Sequence, residues 1–392
     1  MSGSGSHHTP RGPRRGAVLT LVFVSVLATA SATDSLPGTG DDSARVPVRS
    51  VASTVDSDDL ARAAAEAVAD GKSGTEAAEE VVSRSGDRWG AVYDKSEFEE
   101  FEQALDGEYT GVGLWARRGA GGQMEVTRVQ PGGPAQRAGV RPGDTIRDID
   151  ADSVAGLPVT EVMALLRGGT ASEGAGVVGS TVVLGLERDG RRWTRGLRRA
   201  RLATESVTVD TIRGGTLRIK VDAFTKGTGK RVRDAVLDAP AGAGVLLDLR
   251  GNGGGLVTEA VTAASAFLDG GLVATYDIRG EQRALYADPG GDTGRPVVVL
   301  VDAGTMSAAE LVTGALQDRG RSITVGARTF GKGSVQMPSR LPDGSVAELT
   351  VGHYRTPAGH GVDGRGVTPD LLVSERAQQR AETVLSGLGG AR

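Results

Sequence analysis

The feature that most constrains this chain is a pair of short, unbroken apolar runs, VLLDL at 245–249 and VVVLV at 297–301. Each leads at once into a Gly-bearing loop and then a helical pattern. A strand that is apolar at every position must be buried on both faces, as in a parallel sheet covered by helices. The neighbouring pieces agree. LRIKVDAF (217–224) and ITV (323–325) read as strands, and GKRVRDAVLDA (229–239), LVTEAVTAASAFL (256–268) and SAAELVTGALQDRG (307–320) read as helices. Residues 203–375 are therefore expected to form an α/β layer with parallel pairing, with the last strands near SVAELTV (345–351) closing it. Residues 376–392 read as a polar helix and a Gly tail.

Three other textures precede this layer. Residues 106–202 carry short alternating strands, near 123–129 and 181–187, around a helical run Val159 to Leu166, the size of one compact domain. Residues 51–105 are helical. DDLARAAAEAVADGKSGTEAAEEVVS offers only weak apolar faces that must dock on something larger, while Phe98, Phe101 and Leu105 share one helical face. Residues 1–32 combine Arg11, Arg14 and Arg15 with the apolar run Gly16 to Ala30 and the small-x-small sequence Ala30-Ser31-Ala32. They read as a signal peptide or N-terminal membrane anchor, with 33–50 as a linker, so the chain is expected to be secreted or held on the outer face of the cytoplasmic membrane.

Composition then removes most chemistries. There is no Cys, which excludes disulfides, thiolate metal sites and cysteine nucleophiles. Of four His, two (His7, His8) lie in the leader and only His353 and His360 remain, so no metal site and no cofactor are expected. A formal net charge of -4 predicts no nucleic-acid face.

Three loops in the α/β layer can still carry chemistry. Asp248-Leu-Arg-Gly-Asn-Gly-Gly-Gly-Leu256 leaves several N–H groups able to converge on an oxyanion, or is simply a tight turn. Asp302-Ala-Gly-Thr-Met-Ser-Ala-Ala-Glu310 sets Ser307 at a strand-to-helix turn, as a nucleophile or as an ordinary N-cap with Glu310 completing a capping box. Thr329-Phe-Gly-Lys-Gly-Ser-Val-Gln336 places Lys332 between two Gly. Lys occurs at only six positions (72, 95, 220, 226, 230, 332) against 45 Lys+Arg in all. Desolvated, Lys332 is a base; exposed, it is a solvated loop residue. Taken together, the loops support serine acyl chemistry with a lysine base.

With these motifs the chain resembles the carboxyl-terminal processing peptidases, or tail-specific proteases, best over 245–370. Ser307, with Lys332 at 25 residues and Gln336 four further on, reproduces that family's spacings. Asp248-Leu249-Arg250, Asn252 and Gly254-Gly255 match its oxyanion loop, while Leu341-Pro-Asp-Gly and Gly366-Val-Thr-Pro-Asp370 match two later elements. Thr305, Met306, Ala309 and Gly253 depart from the usual residues. The resemblance implies a crotonase/Clp protease-like catalytic core with an inserted PDZ domain and a small N-terminal helical region. It implies Ser307 as nucleophile, Lys332 as general base, Gln336 as its orienting partner, and the N–H groups of Gly254 and Ala308 as oxyanion donors.

Residues 106–202 likewise resemble a PDZ domain. Gly111, Val112, Gly113 and Leu114 would bind a substrate carboxylate, Val159–Leu166 would be the groove helix, and Arg167 would couple the domain to the core. The implied protein is an exported serine endopeptidase acting near free C-termini of proteins or peptides, with membrane association through the apolar leader and homo-oligomerisation left open. The alternatives are a catalytically silent PDZ scaffold and an acyl-CoA enzyme of crotonase type.

Overall fold

The computed structural model describes residues 57–119, 121–168, 177–278 and 281–389. The leader, the linker and the final tail residues lie outside the described residues, and among the described residues no helix is long and apolar enough to cross a membrane.

The two apolar runs form the centre of a six-stranded sheet. Its order is Val207–Thr211, Leu217–Val221, Val245–Asp248, Val297–Val301, Ile323–Gly326 and Leu371–Leu372. All pairs are parallel except the first. Period two explains the continuous apolarity. Val245, Leu247, Val297, Val299 and Val301 join the core beneath Thr228–Leu237, Val257–Ser265 and Ala308–Asp318, while Leu246, Val298 and Leu300 face the other way. That second face is covered by the helix Ala377–Gly389, whose Ala381 and Leu385 are buried. The sequence pattern reads this helix as polar. Its two buried residues lie four apart on one face, enough to seal a sheet.

The expected crotonase/Clp protease-like core requires correction. The α/β layer does not close with a few last strands; it carries a second, wholly antiparallel sheet of five strands. This runs Ala91–Tyr93, Val346–Arg355, Leu272–Ile278 and Glu281–Tyr286, with Ser334–Arg340 also on Val346–Arg355. Ala91–Tyr93 comes from before residue 106, so the core is built from chain on both sides of the middle domain, and the result is a mixed α/β fold with that domain inserted. The N-terminal helices dock where the hairpin offers apolar cover: Leu60, Ala64, Ala78 and Val82 pack on Leu341, Ala347 and Leu349, and Phe98, Phe101 and Leu105 pack with Val346.

The inserted region is a separate sheet in the order Leu114–Arg118, Met124–Val129, Thr145–Ile149, Thr181–Arg188 and Arg191–Arg198. It has its own core of Leu114, Val126, Ile146, Val162, Leu166 and Leu184 among others. Leu114–Arg118 is an edge strand, with the helix Val159–Arg167 beside it.

Candidate active site

Ser307 sits between the strand Val297–Val301 and the helix Ala308–Asp318, fully buried, with φ 56° and ψ -119°. A residue with a Cβ avoids this region, and an L residue held there marks a turn fixed by its surroundings. Glu310 supplies much of that restraint. Its buried carboxylate accepts the N–H of Ser307 at 2.9 Å, of Lys332 at 2.8 Å and of Gly331 at 2.7 Å, and the hydroxyl of Thr329 as well. The Ser307 and Lys332 donors end on the same oxygen, Oε2. Burial raises the Glu310 pKa, against the lowering effect of these donors. Tyr354 makes a second bridge: its hydroxyl donates to the Ser307 carbonyl at 2.9 Å and lies 3.4 Å from the Lys332 carbonyl. Burial also lifts this phenol well above the ordinary tyrosine range.

Lys332 is 1% exposed, one of the largest fully buried side chains. Its Nζ lies 5.2 Å from the centroid of the Trp89 ring, which also packs on Phe330. Burial pulls its pKa down from 10.5 to about 8, against the opposing pull of Glu348, Asp87 and Asp363. Trp89 belongs to the segment just before Ala91–Tyr93, and its indole N–H donates to Asp363 at 3.3 Å. Asp87 is fixed in turn by the backbone and hydroxyl of Thr350, both at 2.8 Å.

Gly254 is brought against Ser307. A Cβ there would stand 2.8 Å from the Ser307 Cβ and 3.2 Å from the Ala308 nitrogen, at φ +101°. Only glycine fits. Its N–H donates to Asn252 Oδ1 at 2.8 Å, so this donor is engaged within the loop. Asn252 also donates to the Val221 carbonyl, and its own carbonyl accepts from Met306 N–H. Ala308 opens its helix, where the N–H has no intrahelical acceptor. Gln336 is buried on the strand after Lys332, past an irregularity between Val335 and Gln336. Its amide nitrogen donates to the Trp89 carbonyl, and its Oε1 has no hydrogen-bond partner. The structure thus brings Ser307, Lys332, Gly254 and Ala308 into one site and turns the Gln336 amide nitrogen towards the N-terminal segment.

Beside Ala308 lies a small apolar hollow lined by Val257, Tyr276, Leu285, Ala308, Leu311, Val335 and Tyr354. Among the described residues no cluster of His, Asp or Glu could hold a metal ion.

In the inserted region the Val112 carbonyl accepts from Ala135 N–H and the Gly113 carbonyl from Gln130 N–H, each at 2.8 Å. A trans peptide points its N–H opposite its C=O, so the N–H groups of Gly113 and Leu114 face away from these partners, at the open strand edge. Val112 is buried, and Gly111 pairs with Ala200. Arg167 stands over the Tyr109 ring at 5.5 Å and acts electrostatically on Glu100. The groove helix is tied down instead by Arg199, which donates to the carbonyls of Leu166 at 2.9 Å and Leu165 at 3.0 Å.

Glu310 was legible only as a helix cap. Tyr354, Trp89, Asp87, Asp363 and Glu348 carried no local signal at all.

The class of protein follows from the family models that the two parts of the fold match. Residues 215–373 match the model of peptidase family S41 and residues 125–173 that of a PDZ domain. The region 215–373 belongs to peptidase family S41, and a PDZ domain precedes it in the chain. It is 30% identical over 290 residues to the carboxy-terminal processing protease CtpA of Bacillus subtilis, covering 73% of this chain and 60% of that protein. It is 36% identical over 284 residues to the chloroplastic C-terminal processing peptidase of Tetradesmus obliquus, covering 68% and 60%. The chain thus spans about 60% of the length of these relatives. A solved structure described as an S41 protease from Bacteroides fragilis has a TM-score of 0.51 at 18% identity, covering 77% of this chain and 87% of that one, a likeness of fold alone. The core is therefore the S41 peptidase fold, mixed α/β with a PDZ insert, and not the crotonase/Clp protease-like core expected from the sequence.

Proposed function

We propose that the protein is an exported serine endopeptidase that cleaves near the C-terminus of protein substrates, with Ser307 as nucleophile and Lys332 as general base. The observation that carries this reading is the single Glu310 oxygen on which the Ser307 and Lys332 backbones meet, with Ser307 at φ 56° and Lys332 buried. A neutral Nζ takes the Ser307 hydroxyl proton as Oγ attacks the scissile carbonyl. The tetrahedral oxyanion falls to the Ala308 N–H, joined by the Gly254 N–H once it leaves Asn252. The ammonium then protonates the leaving amine, and water repeats the cycle to release the acid. Gln336 Oε1, which lacks a partner, is the group that orients the amine.

The PDZ edge strand holds the substrate as an added strand, with its terminal carboxylate on the N–H groups of Gly113 and Leu114. Arg167 passes occupancy on through Tyr109 and Glu100. Residues 1–32 put the mature chain outside the cytoplasmic membrane.

The test is proteolysis of an unstructured protein with an apolar C-terminus, free or amidated. Wild type should cleave the free form faster. Ser307→Ala should lose roughly a thousandfold or more in rate, and Lys332→Arg should be as inactive, because a guanidinium cannot take the proton. Full activity in Lys332→Arg overturns the mechanism; a peptide that binds but is never cut favours a silent PDZ scaffold.

A further inference from the structure

The inserted sheet has two edges, and the proposed peptide site occupies only one. Its order puts Leu114–Arg118 at one end and Arg191–Arg198 at the other, four strand spacings or roughly 19 Å away. The second edge is cationic. From Gly190 to Thr204 the chain carries Arg191, Arg192, Arg195, Arg198, Arg199 and Arg201 and no acid. Three of these are engaged within the domain. Arg192 pairs with Glu187 at 3.0 Å, Arg201 pairs with Glu108 at 3.3 Å, and Arg199 clamps the helix Val159–Arg167. Arg191, Arg195 and Arg198 are exposed and form no ion pair among the described residues. Arg195 reaches only the Thr194 carbonyl, at 3.1 Å.

Exposed apolar groups lie against this edge. In Thr181–Arg188 burial alternates: Val182, Leu184 and Leu186 enter the core, while Thr181 and Val183 face out. Opposite these two stand Arg198 and Gly196, so Val183 is left open to solvent. Just before Thr181, Val177 and Val178 are 61% and 50% exposed. Gly179 N–H donates to the Arg199 carbonyl and Arg199 N–H to the Ser180 carbonyl, both at 2.8 Å, which seats that turn at the Arg198 end of the edge strand. The nearby acids are occupied: Glu187 by Arg147 and Arg192, and Asp150 by the Val183 N–H at 2.8 Å. Charge on an edge strand by itself keeps sheets from pairing, a role that has no use for three exposed valines. Apolar groups ringed by guanidinium groups instead match the boundary of an anionic bilayer, where apolar side chains enter the acyl region and cations meet phosphates.

We propose that the edge strand Arg191–Arg198 and the turn at Val177 and Val178 form a docking surface for a membrane containing anionic phospholipid. The other end of the chain argues for that occupant. The apolar run Gly16 to Ala30 is expected to meet a membrane, and only residues 31–56 separate it from the helix Ser57–Ala69. Left uncleaved, the run keeps the folded part within roughly 90 Å of the bilayer even at full stretch. A soluble polyanion would neutralise the arginines but leave the valines in water. Docking through this edge leaves the Leu114–Arg118 edge open, so lipid and peptide do not compete. The inference does not depend on the Ser307–Lys332 reading.

The experiment places an environment-sensitive dye on the full chain in vesicles of phosphatidylcholine, alone or with about a quarter phosphatidylglycerol. The chain has no Cys, so Thr194→Cys supplies one thiol on the outward face of the edge strand with every arginine and valine kept. Leu237→Cys, at a site 59% exposed on the α/β layer, is the control. The leader is the same in all samples, so only the seating of the dye differs. On anionic vesicles the dye at 194 should shift to the blue and become roughly threefold harder for aqueous iodide to quench, with no change on neutral vesicles and none at 237. About 1 M salt should reverse the protection. Arg191→Glu, Arg195→Glu and Arg198→Glu together should abolish it, and Val177→Ser with Val178→Ser should leave about a third of it. A dye at 194 quenched equally on both vesicles overturns the proposal, and this result needs no variant of the docking residues. Protection that survives either set of substitutions also overturns it. So does binding of soluble polyphosphate by a chain whose dye stays in water on anionic vesicles, which would make the edge a polyanion site.

Discussion

Around Ser307 the donors are seated: the backbones of Ser307, Gly331 and Lys332 and the Thr329 hydroxyl all end on Glu310, and the Tyr354 hydroxyl bonds the Ser307 carbonyl. Around the Lys332 side chain the picture reverses, with an aromatic ring, three acids and oxygens of Gln336 and Glu348 that bond to nothing. The difference teaches how each partner is prepared. Ser307, the proposed nucleophile, is set by geometry, in a turn that hydrogen bonds hold in a strained conformation. Lys332, the proposed base, is set by environment, through burial against charge, so it should respond to pH and to anything that lets water in.

The largest effect should come from breaking the geometric side. Glu310→Gln leaves one amide oxygen for four donors and turns an NH₂ towards N–H groups. We expect kcat/KM to fall by roughly a hundredfold or more and stability to drop by about 2–3 kcal/mol in urea unfolding. Little change in either would mean that the Ser307 turn does not depend on this carboxylate.

Breaking the environmental side should instead move the pH profile. Burial lowers the Lys332 pKa, so Trp89→Leu, which strips the ring from the amine, should raise it from about 8 towards 10.5. Below that pKa the amine is charged and cannot act as a base. The acid limb of kcat/KM should thus shift up by about one unit, costing about tenfold at pH 7 with the alkaline plateau nearly kept. A uniform loss at every pH would show that Trp89 only packs.

The smallest effect sharpens the comparison by its absence. Replacing His353 and His360 together should leave kcat/KM within about threefold of wild type, since neither belongs to either half of the site; a histidine base would lose several thousandfold.

The same division explains what could be read from sequence. The parallel strands were legible because two-sided burial forces continuous apolar runs at 245–249 and 297–301. Ser307 was legible because its turn is local, fixed by Gly304 before it and Glu310 three residues after. The surroundings of Lys332 were not, because Trp89 and Asp87 lie more than two hundred residues upstream and reach it only through the pairing of Ala91–Tyr93 with Val346–Arg355. That long-range pairing leaves no trace in the sequence, because a three-residue strand is too short for its alternation to stand out. The helix Ala377–Gly389 reads as polar for a related reason: Ala381 and Leu385 seal a sheet face, yet two small contacts barely register as an apolar stripe.

The most direct measurement is the rate at which a fluorophosphonate labels the protein across pH 6 to 10, with the modified residue located by mass spectrometry. The account predicts labelling at Ser307, with a rate that rises through about pH 8 in wild type as Lys332 loses its proton, and essentially none in Lys332→Arg. Labelling at another residue, a rate flat across this range, or undiminished labelling in Lys332→Arg would contradict it.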